Sequence, residues 1–351
     1  KLVRISEKLQ QNMQYVDELM GLETNFDIIH RVIRLGDTDA CMYLIDGFCK
    51  DELMQKILQY LMDLKAEDFP KDAHEMSKIA IPYVEVDLDD TWEKILGALL
   101  SGVFVLLLDG YEKAVLIDAR TYPTRGVEEP DKDKVLRGSK DGFVETVVFN
   151  TALIRRRIRS TDLHMEMLNA GENSRTDIVL CYMESRVDPK LLTQIRERIR
   201  SIQVDALAMN QESLAECLYQ RKWYNPFPKF KYTERPDTAA AQVLEGNLVI
   251  LVDNSPSAMI LPTTIFDVVE EADDYYFPPV TGTYLRLTRF LIALLTYFVT
   301  PTYLLLMNHR MWIPENLEFI ILKEDPNVPL ILQFLLLELA IDGLRLAAVN
   351  T

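Results

Sequence analysis

The sequence predicts an α/β fold of two tandem, similar α/β subdomains, followed by an α-helical membrane region. Three observations support this prediction. The stretch "SGVFVLLLDGYEKAVLIDAR" at 101–120 is similar to a second stretch, "EGNLVILVDNSPSAMILPTT", at 245–264. In both halves, an apolar strand and an amphipathic helix precede the returning stretch. Finally, the 18 residues from 290 to 307 carry no charge, which is unusual outside a membrane span.

The repeated stretch is predicted to be a β-hairpin that occurs once in each subdomain. A shift of 144 positions places Gly102 on Gly246 and Asp109 on Asp253, with apolar residues opposite apolar ones between them. Asp followed by Gly or Asn between two apolar runs is typical of a hairpin turn. We therefore expect both aspartates to be turn residues rather than acid or base catalysts.

The order of patterns along the chain predicts five segments. Helical spacing at the N-terminus places Leu9, Met13, Val16 and Met20 on one face. The strand, helix and hairpin patterns then occur twice, with Asp188 and Asp237 as helix N-caps in the second half. The segments are an N-terminal helical segment (1–36), a first α/β subdomain (37–138), a connecting helix (139–160), a second α/β subdomain (161–280) and the start of a membrane domain (281–351).

The connecting segment is predicted to be a basic amphipathic helix. "DGFVETVVFNTALIRRRIRS", at 141–160, spaces its apolar residues for one helical face. Cations at the end of a helix suit its dipole, so a linker helix paired with acidic neighbours is one interpretation. A contact with another subunit or with lipid headgroups is the other. The cations concerned are Arg155, Arg156, Arg157 and Arg159.

The uncharged run predicts a membrane span at about 285–308, with a kink at Pro301. Flanking rings of Tyr284 and Trp312 are placed where aromatic side chains meet the membrane surface. Arg286 and Arg289 precede the span, and this positive charge predicts that the N-terminal region is cytoplasmic.

A second apolar run, at 328–349, predicts a helix with one charged face. Glu338, Asp342 and Arg345 follow one another at helical spacing. Ionisable groups are costly against lipid, so this face must meet water, another helix or a pore. A packed or interfacial amphipathic helix is one interpretation. The other is an ion path that includes Glu338 and Asp342.

Composition excludes some function classes. Lys and Arg number 38 against 54 Asp and Glu, a net charge of −16, which argues against nucleic-acid binding. The four cysteines form no C-x-x-C pair, and we expect buried free thiols. The sequence lacks the phosphate-binding, dinucleotide-binding, metalloprotease and serine-hydrolase motifs. We expect no enzyme activity, no cofactor and no metal. The first residue is Lys, so the chain is expected to be part of a longer protein.

Three long stretches resemble the A-subunit family of bacterial spore germination receptors, the GerA family. They are "DGFVETVVFNTALIRRRIRS", "YTERPDTAAAQVLEGNLVILVDNSPSAMILPTTIF" and "GTYLRLTRFL". Within that family, "RTYPTRG" and "ILQFLLLELAIDGLRLAAVNT" are most similar to the stage V sporulation AF branch. The resemblance extends along nearly the whole chain after Asp39.

The resemblance implies a protein of the spore inner membrane with a two-part cytosolic N-terminal region. It implies a homo-oligomer, a ring of five, that takes part in the release of monovalent cations during germination. For the stage V branch it implies an auxiliary ion channel that amplifies the signal of germination receptors, with a small membrane protein as partner.

The leading hypothesis is therefore a subunit of an oligomeric ion channel. Its assembly surface is predicted to include the basic end of the connecting helix together with Glu234, Arg235 and Asp237. One alternative is a non-conducting scaffold that clusters germination receptors in the membrane. Another is a sensor that binds a ligand between the two subdomains.

Overall fold

The computed structural model forms two compact units. It describes residues 3–49, 51–81, 83, 85–121, 141–219, 228–264, 267, 279–322 and 327–349. The first unit spans Lys1–Tyr276 and the second spans Phe277–Thr351. Over the described residues, the first unit contains strands and helices, whereas the second is helical.

Two antiparallel sheets organise the first unit. One contains β1 Ile28–Leu35, β2 Thr38–Ile45, β3 Val86–Asp89, β4 Phe104–Leu108 and β5 Ala114–Ile117. The other contains β6 Leu163–Ala170, β7 Thr176–Met183, β8 Lys231–Thr233, β9 Leu248–Val252 and β10 Ala258–Leu261. The strand orders are β1-β2-β4-β5-β3 and β6-β7-β9-β10-β8, so the two sheets share one topology.

Helices cover both faces of each sheet. In the first sheet α1 and α4 pack on one face, and α2 and α3 pack on the other. In the second sheet α5 and α8 form one layer, and α6 and α7 form the other. The helices are α1 Leu9–Met20, α2 Asp51–Met62, α3 Ala73–Ile79, α4 Trp92–Leu100, α5 Val147–Arg157, α6 Pro189–Arg200, α7 Gln211–Leu218 and α8 Pro236–Glu245.

The hairpins predicted from the repeated stretch are present in both sheets, and their turn aspartates have a further role. Asp109 follows β4, and its Oδ1 accepts a hydrogen bond of 2.9 Å from the backbone N–H of Leu9. Asp253 follows β9 and accepts in the same way from Val147, at 3.1 Å. Leu9 and Val147 begin α1 and α5. Each turn therefore satisfies a free N–H at a helix start, as a cap does.

The structural repeat includes the helix before each sheet. Asn12 in α1 accepts a 2.8 Å hydrogen bond from the backbone N–H of Ser6, and Asn150 in α5 accepts one of 2.8 Å from Val144. The predicted connecting helix, α5, thus packs on the second sheet as α1 packs on the first. The predicted subdomain boundaries stay predictions, because residues 1–276 form one compact unit.

The N-terminal segment differs from the sequence prediction after residue 20. The helix ends at Met20 because Gly21 adopts a left-handed conformation, with φ of 57°. Residues 28–35 form β1 instead of continuing the helical segment. This stretch, "IIHRVIRL", is rich in β-branched residues, which favour strands. Its counterpart β6 was not predicted either.

Two predicted helix features are also corrected. α5 covers Val147–Arg157 rather than the whole of 141–160, although Phe143 and Ile158 outside it are buried in the same core. The N-cap of α6 is Asp188 as predicted, and its side chain accepts from the N–H of Lys190. Asp237, however, lies in the first turn of α8, and Arg235 occupies the N-cap position.

The second unit contains two long helices. α9 spans Pro279–Asn308 and continues through Pro301, and α10 spans Leu330–Val349. Two short 3-10 turns, Arg310–Trp312 and Glu315–Ile320, lie between them. The rings of Tyr303 and Phe334 meet edge to face at 6.1 Å and connect the two helices.

Candidate functional site

The predicted functional residues lie at three places in the chain. One of these places is the second unit, which is apolar. Within the described residues, Val280–Asn308 of α9 is the one helix that is long and apolar enough to cross a membrane. Its surface is open in this chain: Ile292, Tyr297 and Phe298 are 57%, 80% and 61% exposed. The exposure of many large apolar side chains to water is unfavourable. This surface is therefore suited to contact with lipid or with another protein.

α10 combines an apolar composition with three charges. Glu338, Asp342 and Arg345 are all exposed, and their spacing places them on one face. The two carboxylates stand one helical turn apart, close enough for both to act on one passing cation. The structure is compatible with both interpretations of this helix, packed amphipathic helix and ion path.

The basic end of α5 is the second place, and its first arginine is internal. Arg155 is fully buried. Its guanidinium forms a two-pronged ion pair with Asp27, with Nε to Oδ2 at 2.8 Å and Nη2 to Oδ1 at 2.9 Å. Nη1 also donates to the backbone carbonyl of Leu163 at 3.1 Å. Arg155 therefore connects the two sheets within one chain.

The other arginines of α5 differ in exposure. Arg157 is partly buried and pairs with Asp141, with 2.5 Å between Nη2 and Oδ2. Arg156 and Arg159 are exposed. A surface role of this helix end therefore rests on the last two.

The start of α8 is the third place. Arg235 is fully buried, and its side chain forms an ion pair of 2.6 Å with Asp237. Glu234 is partly buried, and its backbone carbonyl accepts from the N–H of Phe143 at 2.8 Å. These contacts fix the start of α8 against the segment that leads into α5, so Arg235 and Asp237 contribute to the inside of the second subdomain.

A junction between the two sheets surrounds the pair of Arg155 and Asp27. Asn25 accepts a hydrogen bond of 2.6 Å from the N–H of Met165, and the N–H of Phe26 donates to the Met165 carbonyl at 3.2 Å. Next to them His164 contacts the Thr24 hydroxyl at 2.9 Å. Sequence reasoning missed this junction, because its partners are 128 to 140 positions apart.

At the junction, burial favours the neutral forms of His164 and Cys181. Burial lowers the pKa of His164, which stacks on the ring of Tyr182 at 5.7 Å. Burial also raises the pKa of the Cys181 thiol. The Cys181 thiol is therefore held in its unreactive form, since a thiolate is the reactive form of Cys.

The four cysteines differ in exposure. Cys41 and Cys181 are buried free thiols, as predicted, and burial raises the pKa of Cys41 to about 12. Cys49 is partly buried and Cys217 is exposed, so the prediction of burial is wrong for Cys217. Cys217 lies on the outer face of α7, whereas the apolar residues around it in the sequence point inward. In the part of the chain that the structure describes, no group of His, Cys, Asp and Glu could hold a metal ion.

Comparison with known proteins identifies the family. The model of the Bacillus/Clostridium GerA spore germination protein family matches residues 14–351. Stage V sporulation protein AF of Bacillus subtilis is 37% identical over 99% of this chain and 71% of its own length. The uncharacterized membrane protein YfkQ of the same organism is 30% identical over 99% of this chain and 67% of its own length.

A solved structure matches the first unit. It is the N-terminal domain of the A subunit of the Bacillus megaterium spore germinant receptor GerK3, with a TM-score of 0.58 and 27% identity. The match covers 76% of this chain and 98% of that domain. The resemblance that the quoted motifs predict, including the stage V AF branch, is thus confirmed, as is a role in spore germination. The chain belongs to the GerA family of spore germination proteins.

Proposed function

We propose that this chain is a subunit of an oligomeric ion channel in the spore inner membrane, where it promotes the release of cations during germination. The observation that carries the proposal is the second unit. An apolar helix with an exposed surface is followed by a helix that combines apolar side chains with two carboxylates on one face.

A water-filled path would give the carboxylates of α10 the polar surroundings that they need. A carboxylate facing lipid at mid-membrane costs several kcal/mol. In a ring of identical subunits, each copy would present Glu338 and Asp342, and the charged faces could point together toward a central opening. Rings of acidic side chains favour cations over anions. Arg345 on the same face would partly offset this negative charge.

The first unit is proposed to lie in the cytoplasm and to act as the assembly platform. Arg286 and Arg289 stand at the start of α9, whereas only His309 and Arg310 directly follow it. Membrane proteins keep excess Lys and Arg on the cytoplasmic side. Proposed partners are other copies of this chain, a small membrane protein and the germination receptors that the channel would assist.

The channel can be tested with the full-length protein in planar bilayers. We expect a cation current, and we expect the double variant Glu338→Gln, Asp342→Asn to lower conductance or cation selectivity. The matched control is Glu315→Gln, Glu318→Gln, which neutralises two exposed carboxylates in the 3-10 turn outside the long helices. The control should conduct like the parent.

Each outcome decides between the hypotheses. Unchanged conductance and selectivity in the α10 variant would remove these two residues from the ion path. The absence of any current from correctly assembled parent protein would refute the channel and favour a non-conducting scaffold.

A further inference from the structure

The outer edge of the second sheet is covered by the first repeat. The outward backbone groups of Met165, in β6, bond to Asn25 and Phe26 as described above. Beside them Asp27 pairs with Arg155. The segment 24–27, between α1 and β1, thus occupies the place where a further strand would pair with β6. Met165 is fully buried.

The equivalent edge of the first sheet is open. β1 pairs with β2 as β6 pairs with β7: Ile28 lies opposite Ile45, and Leu163 lies opposite Met183. His30 therefore takes the position of Met165. Its side chain is 39% exposed, and Val32, two residues on, is 53% exposed. Over the described residues, the backbone of neither one bonds outside the sheet. An open edge of this kind is a template for pairing.

The chain also carries a second copy of the covering segment. Asp27 precedes β1, and its carbonyl accepts from the N–H of Asp46 at 2.8 Å. Asp162 precedes β6, and its carbonyl accepts in the same way from Glu184, at 3.0 Å. Residues 159–162 are therefore the counterpart of 24–27. They are exposed or partly exposed, whereas Asn25 and Asp27 are buried.

The charged residues at the two edges differ. Asn12 of α1 matches Asn150 of α5, so Asp17 stands in α1 where Arg155 stands in α5. When the segments 24–27 and 159–162 are aligned, Arg159 corresponds to Thr24. Asp17 is engaged within its own repeat: its Oδ1 accepts from the Tyr43 hydroxyl at 2.8 Å and contacts His30 Nδ1 at 3.1 Å. The Asp162 carboxylate accepts a hydrogen bond of 3.0 Å from the N–H of Ser185, within its own repeat.

We propose that the segment 159–162 of one copy docks on the β1 edge of the next copy, so that the contact between repeats continues from subunit to subunit. Such a contact is heterologous, and heterologous contacts close into rings when the rotation permits. A second copy is the favoured occupant because this chain carries both surfaces and joins their counterparts internally. The inference rests on the homo-oligomer of the proposed function and names its interface.

Disulfide cross-linking in the full-length membrane protein tests the interface. Phe26 bonds to Met165 inside the chain, so its counterpart Thr161 should meet His30 of the next copy. In a background with Cys49→Ser and Cys217→Ser, the variant His30→Cys, Thr161→Cys should form a ladder of cross-linked dimers and larger species on oxidation. The control Asp87→Cys, Thr161→Cys moves one cysteine to β3, the opposite edge of the sheet, and should stay monomeric.

A second variant checks the edge itself. Val32→Glu in the His30→Cys, Thr161→Cys background should abolish most of the ladder. Tyr232→Glu, which alters a 40% exposed residue on the edge strand β8, should leave it intact. No ladder from the first pair, or an equal ladder from the Asp87→Cys control, would overturn the interface.

Failure of the interface and failure of the channel can be told apart. Current without the ladder would retain the channel and reject this contact. The ladder without current would retain the contact and reject the channel.

Discussion

The pair of Arg155 and Asp27 shows that one arginine of a basic run can have a structural role inside the protein, unlike its neighbours in the sequence. Arg155 stands within a basic run, yet it is fully buried and pairs with Asp27, which is 1% exposed. A charge buried in protein needs a partner with good geometry, and two-pronged pairing by arginine supplies it. This pair therefore connects the two sheets inside the molecule.

Replacing Arg155 should be costly, because it leaves the Asp27 carboxylate buried without a partner. We expect Arg155→Met to lower the free energy of unfolding by about 3–5 kcal/mol. The control Arg156→Met changes an exposed neighbour and should shift stability by only about 0.5 kcal/mol. Urea unfolding of the fragment 1–276 measures both, since the counterpart domain of GerK3 was crystallised by itself.

The double variant Asp27→Leu, Arg155→Met separates pairing from packing. Because it removes both charges, it should lose less stability than the sum of the two single changes. Equal effects of the Arg155 and Arg156 variants would show that the pair does not hold the junction.

Among the elements, the paired hairpins depend on glycines that end the helices before them. Gly246 follows α8 with φ of 98°, and a Cβ there would lie 2.9 Å from the backbone oxygen of Arg186. Gly102 after α4 has φ of 96°. Both therefore allow the chain to turn from helix into strand where other residues would be strained. The match between these glycines in the sequence reflects this shared requirement.

The matched glycine variants have opposite expected effects. Gly246→Ala should destabilise the fragment 1–276 by about 1–3 kcal/mol, since it adds backbone strain and a close contact. Gly97→Ala lies inside α4 with no atom within 4 Å of the new Cβ, and should stabilise by up to about 1 kcal/mol. Thermal unfolding of both variants is the measurement. A Gly246→Ala protein as stable as its parent would contradict the role of this glycine.

On the scale of the whole molecule, the chain divides into one unit with buried cores and one with an exposed apolar helix. The first unit buries most of its apolar side chains between its sheets and helices. Over the described residues, many large apolar side chains of α9 are exposed instead. The described part of the second unit therefore leaves apolar surface that a membrane or further protein would cover.

A charge in the middle of α9 should prevent its insertion. In a translocon reporter that carries residues 279–308, Leu294→Arg should shift the apparent insertion free energy by about 3 kcal/mol toward exclusion. Thr281→Arg, near the helix start, should have a much smaller effect because arginine can extend to the surface there. Glycosylation of flanking sites reports insertion. Equal effects of the two variants would argue against a span centred near Leu294.

Much of the fold was accessible from the sequence because its signals are local. Apolar runs on both sides of an Asp turn predicted both hairpins, and the uncharged run predicted α9. The strands β1 and β6 were missed because they are sheet edges with polar residues interspersed, such as Arg31 and Glu166. Edge strands lack the continuous apolar pattern of strands that are buried on both faces.

By itself the sequence determined the repeat, the two hairpins, the apolar helix and the family, because each depends on neighbouring residues or on long shared motifs. The tertiary structure decided what those features do. It showed that Asp109 and Asp253 cap helices 100 and 106 positions away, at Leu9 and Val147. It also placed Arg155 inside the molecule. Such contacts form only when distant segments fold together, so no local pattern carries them.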